Sequence, residues 1–339
     1  MGLPKWGVVG TMDEPPELIA TWAAYHIWAG AQEVHVYLDR DNPEARAYLS
    51  SLANVRVTVC DTGYWAGTGK SRPARHPIRQ GVNASHAASR SKMNYLLHLD
   101  ADEYLYQEAP LESELAALPA GAFLMVTNVE RIDLQGHPRE EIFSQDFRIS
   151  TKHLEGDHSE FTLDAVGLTK FGLAGHSAGK SVTPLGYDYK IGIHRPHIRA
   201  TKPRAYPPFR RAQFSRILHF EGLTPLDWVY RRLRGGAYLA ARPDEPMGTQ
   251  AAAQIDAVTC APDPMEVYRQ LKTVSPAQGR LLSNEGLLAP MQFDPKLALK
   301  ALLPIDPVDL SCARFDQWLK TQKAAFFSEH RFLLEGLES

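Results

Sequence analysis

The segment "NYLLHLDADEYLY" (residues 94–106) contains an apolar run that ends in three acids within four residues, Asp100, Asp102 and Glu103. The apolar, β-prone residues predict a buried strand, "YLLHL" (95–99), followed directly by the acids. A strand at a protein surface has no need of such a density of negative charge at one end. We therefore expect a positively charged group at this position.

The residues before this segment alternate between strand and helix patterns. "WGVVG" (6–10) predicts a buried strand. "DEPPELIATWAAYHIWAG" (13–30) predicts a helix with Asp13 as its N-cap and Gly30 at its C-terminal end. "EVHVYLD" (33–39) predicts the next strand. Strand, helix and strand within about 40 residues form a βαβ unit, which implies a parallel sheet.

The rest of the chain extends this pattern and then changes to helices. "ARAYLSSLA" predicts a second helix, "VRVTVCD" (55–61) a third strand, residues 63–82 a long loop, and "FLMVTNV" (123–129) a further strand. Beyond about residue 222 the segments are helical. The expected fold class is α/β, with a mostly parallel sheet flanked by helices and a helical C-terminal section. We expect two domains, 1–222 and 223–339.

Composition limits the classes of function. The 339 residues are 44% hydrophobic and 22% charged, with a formal net charge of −2, which is typical of a soluble globular protein and argues against a nucleic-acid binder. The spacing of Cys60, Cys260 and Cys312 matches no zinc site, and we expect them to be free thiols in a reducing compartment. With no signal peptide or transmembrane segment recognised, the expected location is the cytoplasm.

The acids suit a divalent cation. Asp100 and Asp102 would project to the same side of an extended backbone, and two close carboxylates stay ionised only beside a compensating charge. Mg²⁺ and Mn²⁺ prefer such oxygen ligands and bridge them to phosphates. A solvated acidic turn is the alternative interpretation. In an open α/β sheet, ligands bind at the carboxyl ends of the strands, which predicts a site formed by residues 10–14, 39–41, 61 and 100–102.

Six motifs in order resemble the GT-A glycosyltransferases, closest to the bacterial family 2-like enzymes and their family 92 relatives. They are "TMDEPPELIATWAAYHIWAG" (11–30), "VHVYLDRDN" (34–42), "YLLHLDADEYL" (95–105), "GKSVTP" (179–184), "IGIHRPHI" (191–198) and "ILHFEGLTPLDWVYRRLRGG" (217–236). The resemblance covers roughly residues 6–240. Two motifs depart from it: "MDEP" replaces a Lys/Arg-Asn-Glu sequence, and "HFEGLT" lacks a lysine that is often present.

The resemblance implies a GT-A fold in residues 1–222 and metal-dependent transfer of a hexose from a nucleotide diphosphate to an acceptor hydroxyl, with UDP as the default donor base and inversion at the anomeric carbon. Cell-surface or capsular glycan synthesis would be the setting. Asp102 and Asp100 would bind Mn²⁺ or Mg²⁺, joined by His219 or His194. Asp13, Glu14 and Asp39 would contact the nucleoside. An acid would deprotonate the acceptor, and the candidates are Asp157, Glu160 and Asp164.

Basic residues are segregated along the chain. Residues 190–216 contain eight Lys/Arg and no acid, and residues 62–99 contain six basic residues and no acid. Arg90, Lys92 and Arg195 are the candidate phosphate contacts, although a solvated loop is the ordinary interpretation. The charge indicates an anionic glycan, a phosphorylated saccharide or a lipid-linked acceptor, and is compatible with peripheral membrane contact. Sparse aromatic residues argue against a nucleic-acid groove.

Three rival functions remain open at this point. "AGHSAGKS" (174–181) fits a loose Walker A pattern, which would make the protein a phosphotransferase or NTPase using Lys180 and Ser181. Pro184 and Gly186 follow too soon for the helix that a P-loop needs. In the glycosyltransferase interpretation, Lys180 lies near phosphate or acceptor. Asp100 and Glu103 could instead be the carboxylate pair of a glycoside hydrolase, or the chain could be a non-catalytic sugar-binding protein.

Overall fold

The chain consists of two compact units that interleave along the sequence. The structure, a computed structural model, describes residues 2–154, 161, 167–199, 201–242, 244–245, 247–303 and 308–331. The first unit comprises Met1–Asn128, Ala178–Leu218 and Asp294–Val308, and the second Val129–Ser177, His219–Phe293 and Asp309–Ser339. The expected domain boundary at residue 222 stays a prediction.

The first unit is built around a seven-stranded sheet. Its strands are β1 (Trp6–Met12), β2 (Glu33–Leu38), β3 (Val55–Val59), β4 (Tyr95–His98), β6 (Phe123–Val126), β10 (Lys180–Pro184) and β13 (Phe209–Arg211). The spatial order is β13-β6-β10-β4-β1-β2-β3. Strands β1 to β4 are mutually parallel, β13 is parallel to β6, and β10 is antiparallel to both of its neighbours. The sheet is therefore mostly parallel with one reversed strand.

Six helices accompany this sheet: α1 (Pro16–Trp28), α2 (Pro43–Leu49), α3 (Thr62–Gly67), α4 (His76–Arg90), α5 (Leu111–Ala116) and α10 (Pro295–Leu302). Capping side chains and prolines at the N-termini favour the formation of several of these helices. The side chain of Asn42 caps α2 and that of Asp61 caps α3, while prolines occupy the first turns of α1, α2, α4 and α10. Shorter strands of the unit are β5 (Glu103–Gln107), β11 (Tyr189–Lys190), β12 (His197–Ile198) and the part of β14 (Ser215–His219) up to Leu218.

The core of the first unit lies between β1, β4 and helix α1. Every residue of β1 is buried, as is expected for a central parallel strand that is covered on both faces. Trp6, Trp22 and Leu97 have no exposed side-chain surface. A Cβ at Gly10 would lie 3.1 Å from the Trp22 ring, so glycine at this position lets α1 pack closely on β1.

The second unit combines short strands with helices. Its strands are β7 (Asn128–Arg131, the first residue of which belongs to the first unit), β8 (Asp133–Leu134), β9 (Asp146–Arg148), β15 (Thr273–Val274) and β16 (Leu288–Pro290). Its helices are α6 (Pro225–Ala240), α7 (Thr249–Cys260), α8 (Pro264–Lys272), α9 (Pro276–Asn284), α11 (Cys312–Gln322) and α12 (Ala324–Glu329). Strand β9 pairs antiparallel with β7 and β16, and β8 pairs parallel with β15.

The α/β class, the mostly parallel sheet flanked by helices and the helical C-terminal section are confirmed. The expected loop over residues 63–82 is wrong, because α3 and the first half of α4 lie there. The segment is rich in glycine, proline and arginine, and this composition led to the loop prediction. Pro77, however, lies in the first turn of α4, where proline is compatible with a helix. Among the described residues, no helix is long and apolar enough to cross a membrane.

Leu97→Ala is expected to lower the free energy of unfolding of the first unit by about 2–5 kcal/mol, because the side chain is fully buried in the central strand β4. The matched control is Leu297→Ala on α10. That leucine is 56% exposed, and its replacement should change stability by less than about 0.5 kcal/mol. Urea denaturation followed by circular dichroism measures both. Equal effects of the two substitutions would contradict the placement of β4 in the core.

Candidate active site at the carboxyl edge of the seven-stranded sheet

The parallel strands β1, β2 and β4 end at one edge of the sheet, and the antiparallel strand β10 begins there. Val182 of β10 pairs with Leu97 of β4, so Lys180 lies beyond the last residue of β4. This register places Lys180 beside the acids that follow β4, although 80 residues separate it from Asp100 in sequence. The expected positive group is thus a lysine of the same chain.

The acids form a tight turn between β4 and β5. The Glu103 amide donates to the Asp100 carbonyl (3.1 Å), and the Asp100 amide donates to Oε2 of Glu103 (2.8 Å). The indole N–H of Trp22 lies 3.2 Å from the Asp100 carbonyl oxygen and 3.1 Å from that of Glu103. The sequence led us to expect extended backbone here. Asp100 and Asp102 are instead related by the turn, which the buried Trp22 holds against α1.

Lys180 neutralises part of the acidic turn. Its fully buried Nζ lies 2.7 Å from Oδ2 of Asp100 and 2.8 Å from Oε2 of the buried Glu103. The Gln80 amide donates to the other oxygen of Asp100. Burial alone would raise the pKa of Asp100, but the Lys180 charge outweighs it and holds that pKa well below its usual range. Burial alone would lower the pKa of Lys180, and the two carboxylates raise it instead.

Asp39, at the end of β2, is held by arginines. Nε and Nη2 of Arg79 on α4 donate to its two carboxylate oxygens at 2.8 and 2.6 Å, and Arg72 lies 2.9 Å from Oδ2. Burial opposes ionisation of Asp39, but the Arg79 hydrogen bonds and charge lower its pKa below the usual value. Nearby, Nε of Arg40 lies 2.6 Å from Oδ1 of Asp13, and Glu14 follows directly in the chain.

Sequence reasoning missed one polar face of α4. Arg79 and Gln80 contact Asp39 and Asp100, and Asn83 donates to the hydroxyl of Thr11 on β1 (2.9 Å). Residues 79 and 83 are four apart, so both lie on the side of the helix that covers the sheet edge. Buried polar residues at this spacing are a recognisable signal, but only once α4 is known to begin at His76.

Three other candidate residues lie elsewhere. Arg90 and Lys92 are exposed at the end of α4 and in the segment leading into β4, which is the opposite edge of the sheet from Asp100. Arg195 is exposed over the ring of Phe209 (5.6 Å). The structure therefore does not bring these three side chains together with Asp39 and Asp100.

Two of the remaining candidates, His194 and Asp102, lie in the first unit, and three lie outside the described residues. His194 belongs to the first unit, where its Nδ1 lies 3.0 Å from the carbonyl oxygen of Gly179, next to Lys180. Asp102 is 4% exposed in the acidic turn. The candidate bases Asp157, Glu160 and Asp164 lie outside the described residues.

His219 belongs to the second unit and lies beside a second histidine. Its ring centroid is 4.7 Å from that of His176. A Cβ on Gly175 would come within 2.7 Å of Oε2 of Glu130 and 3.0 Å of Cε1 of His219, so the loop approaches closely because it carries glycine there. Adjacent imidazoles can supply nitrogen ligands to divalent transition metals, and His176 had no motif to signal it.

The surroundings of Lys180 argue against two of the rival functions, the P-loop phosphotransferase and the glycoside hydrolase. A P-loop lysine begins a helix, whereas Lys180 and Ser181 begin strand β10, and the ammonium group is fully buried in ion pairs. A glycoside hydrolase needs one carboxyl group with a raised pKa as its acid. Lys180 is in contact with both Asp100 and the fully buried Glu103, so its positive charge favours the ionised form of each carboxylate and leaves neither suited to be the acid.

Comparisons with known proteins give weak likenesses. No protein-family model and no curated protein matches the sequence. Among solved structures, HddC from Yersinia pseudotuberculosis is 11% identical with a TM-score of 0.34, over 68% of this chain and 97% of that one. Its complex with GMP-PN gives the same identity and TM-score over 66% and 96%.

A second protein is similar at a lower score. Mannose-1-phosphate geranyltransferase from Thermus thermophilus is 11% identical with a TM-score of 0.24, over 80% of this chain and 69% of that one. TM-scores of this size carry no argument about function.

Lys180→Met is expected to destabilise the first unit by about 3–5 kcal/mol, because it leaves the carboxylates of Asp100 and Glu103 without their buried cation. Lys190→Met, at an exposed position, is the matched control and should have little effect. In Lys180→Met/Asp100→Asn the loss should be smaller than the sum of the two single losses, since both remove the same ion pair. Additive losses in urea denaturation would show that the pair contributes nothing.

The stability difference between the wild type and Asp100→Asn is expected to depend on pH. Because the folded-state pKa of Asp100 is lowered, its contribution is fully present above the unfolded-state pKa of about 3.9 and is lost as pH falls through the folded-state value. Urea midpoints should therefore differ most near neutral pH and converge under acid conditions. Asp256→Asn, at an exposed carboxylate, should give a small difference throughout. A difference for Asp100→Asn that grows on acidification would contradict the Lys180 pairing.

Proposed function

We propose that this protein is a metal-dependent glycosyltransferase that moves a sugar from a nucleotide diphosphate to an acceptor hydroxyl. One observation carries the proposal: the acidic turn of residues 100–103 and the Asp39–Arg79 pair occupy the carboxyl edge of the same parallel strands. That edge is where open α/β sheets bind their ligands. The order of motifs resembling GT-A glycosyltransferases supplies the reaction class.

The donor atoms of the acidic turn fit a divalent cation. Asp100, Asp102 and Glu103 contribute three negative charges and Lys180 one positive charge, which leaves two negative charges in the turn. The ligands on offer are carboxylate oxygens, the type that Mg²⁺ and Mn²⁺ prefer. We assign Asp102 as the principal ligand from the resemblance to GT-A glycosyltransferases, with Asp100, which Lys180 and Gln80 hold in place, contacting the metal or the sugar nucleotide. When bound, the cation would stabilise the negative charge that develops on the leaving diphosphate.

The chain's own residues prepare this edge for the donor. Lys180 and Gln80 fix the carboxylate of Asp100, so the turn keeps one geometry without the donor. Arg79 fixes Asp39 in the ionised state. Arg72 retains 44% exposure of its side chain while touching Asp39, so its guanidinium remains available to a phosphate oxygen. Arg72 thereby takes the phosphate role that the sequence had assigned to Arg90, Lys92 and Arg195.

The finer features of the proposal follow the sequence. UDP is the favoured donor base, inversion the favoured stereochemistry, and Asp157, Glu160 or Asp164 the base that deprotonates the acceptor. The acceptor is a glycan or a lipid-linked saccharide, in keeping with cell-surface or capsular glycan synthesis. His219 and His194 stay candidate nitrogen ligands, and imidazole favours Mn²⁺ over Mg²⁺.

UDP or GDP with Mn²⁺ is expected to raise the melting temperature by about 3–6 °C at ligand concentrations well above Kd, because the complex forms only with the folded state. Without the metal the shift should be much smaller, since the diphosphate and the acidic turn repel each other. Differential scanning fluorimetry with nucleotides and nucleotide sugars, with and without Mn²⁺, measures these shifts.

Asp102→Asn should abolish the metal-dependent shift, measured from the variant's own melting temperature without ligand. Asp256→Asn makes the same chemical change at an exposed position of α7 and should retain the full shift. A shift with ATP alone, or an undiminished shift in Asp102→Asn, would overturn the proposal.

A further inference from the structure

The basic segment of residues 190–216 forms exposed surface in the first unit. Seven of its eight Lys/Arg side chains are exposed: Lys190, Arg195, Arg199, Lys202, Arg204, Arg210 and Arg211. The sequence from 189 to 218 contains no acid, although the chain as a whole has a net charge of −2. Of these side chains, Arg199 pairs at 3.4 Å with the neighbouring Asp188. The surface is therefore strongly positive within a nearly neutral protein.

Aromatic side chains lie among these charges. Phe209, on the edge strand β13, is 41% exposed and stacks on Phe123 of β6 with ring centroids 5.5 Å apart. The guanidinium groups of Arg195 and Arg211 lie 5.6 and 6.0 Å from the Phe209 ring centroid. An exposed phenylalanine is thus framed by two arginines on a sheet edge.

A pair of tyrosines continues this surface. Tyr187 is 46% exposed and stacks on Tyr189 at 5.3 Å. The hydroxyl of Tyr189 donates to the carbonyl of Gly121, two residues before the Phe123 on which Phe209 stacks. We call Tyr187, Arg195, Phe209 and Arg211 the basic aromatic patch. Phe209 pairs with Phe123 at the beginning of β6 and Arg211 pairs with Met125 further along that strand. Strands β6 and β10 lie between β13 and β4, the strand that the Asp100 turn follows.

We propose that the basic aromatic patch docks onto the anionic surface of a phospholipid bilayer. Arginines beside exposed aromatic rings match the two attractions that hold a protein at such a surface, which are charge attraction to lipid phosphates and shallow burial of apolar rings. An acidic glycan would also match the charge, but its hydroxyl groups donate hydrogen bonds as well as accept them. Neither the guanidinium groups nor the Phe209 ring accepts such bonds, and the sequence from 189 to 218 offers no carboxylate.

This inference stands apart from the proposed sugar transfer. Phe209 and Arg211 lie on the edge strand β13, which β6 and β10 separate from β4, whereas the acidic turn follows β4 and Asp39 follows β2 on its far side. Loss of docking should therefore leave nucleotide binding unchanged, and loss of nucleotide binding in Asp102→Asn should leave docking unchanged. The two proposals can fail independently.

Vesicle co-sedimentation of the full chain tests the inference. The protein is expected to bind mixed vesicles of phosphatidylcholine and phosphatidylglycerol, to bind phosphatidylcholine vesicles much more weakly, and to lose binding as salt concentration rises. Arg195→Gln/Arg211→Gln should lower the partition coefficient by about 30-fold, from the usual contribution of a basic residue near an anionic membrane. Arg280→Gln/Lys300→Gln changes the net charge equally at exposed positions outside the patch and should bind as the wild type does.

The aromatic contribution has its own variants. Phe209→Ala should weaken binding about tenfold, and Phe209→Leu, which remains apolar, should recover most of it. Circular dichroism establishes that each variant is folded before it is compared. Equal binding to both kinds of vesicle, or equal losses in the patch and control double variants, would overturn the proposal. So would retention of a uronic acid polymer by the patch with no binding to phosphatidylglycerol vesicles.

Discussion

The ion pairs of Lys180 with Asp100 and Glu103 are the interaction on which the first unit's functional edge depends. A buried ammonium group and two carboxylates lose most of their contact with water here, and they are tolerated because each carboxylate has a cation in contact. The reversed strand β10 makes this possible, since it begins at the edge where β4 ends. Had β10 been parallel, Lys180 would lie at the opposite edge and the acids would repel one another unopposed.

The same pairing assigns different tasks to neighbouring acids. Asp100 and Glu103 serve as fixed, ionised supports for the turn, and Lys180 is a structural cation with no exposed surface to offer a phosphate. In the proposed function, Asp102 is the acid of the turn that would bind the divalent cation. The proposal thus gives the two aspartates of one Asp-X-Asp sequence different tasks.

The first unit presents two surfaces of opposite charge. The carboxyl edge of the parallel strands carries the acidic turn and Asp39, with Arg79 paired to both oxygens of Asp39. The basic aromatic patch on β13 is exposed and contains no acid. If both proposals hold, donor binding and attachment to a lipid surface occupy separate parts of one sheet. Such a separation lets the protein stay attached to the membrane while the donor site exchanges nucleotide.

The amino-acid sequence by itself determined β1, α1, β2, α2, β3 and β4, because apolar periodicity and capping residues act over a few neighbours. It also determined that acids follow β4 and that a cation belongs beside them. Tertiary structure decided which cation it is, since Lys180 and Asp100 are 80 residues apart and meet only through the register of β10 on β4. It likewise decided the partner of Asp39, 40 residues from Arg79. Electrostatic pairing is selected by position in space, and side-chain type fixes only which pairings are possible.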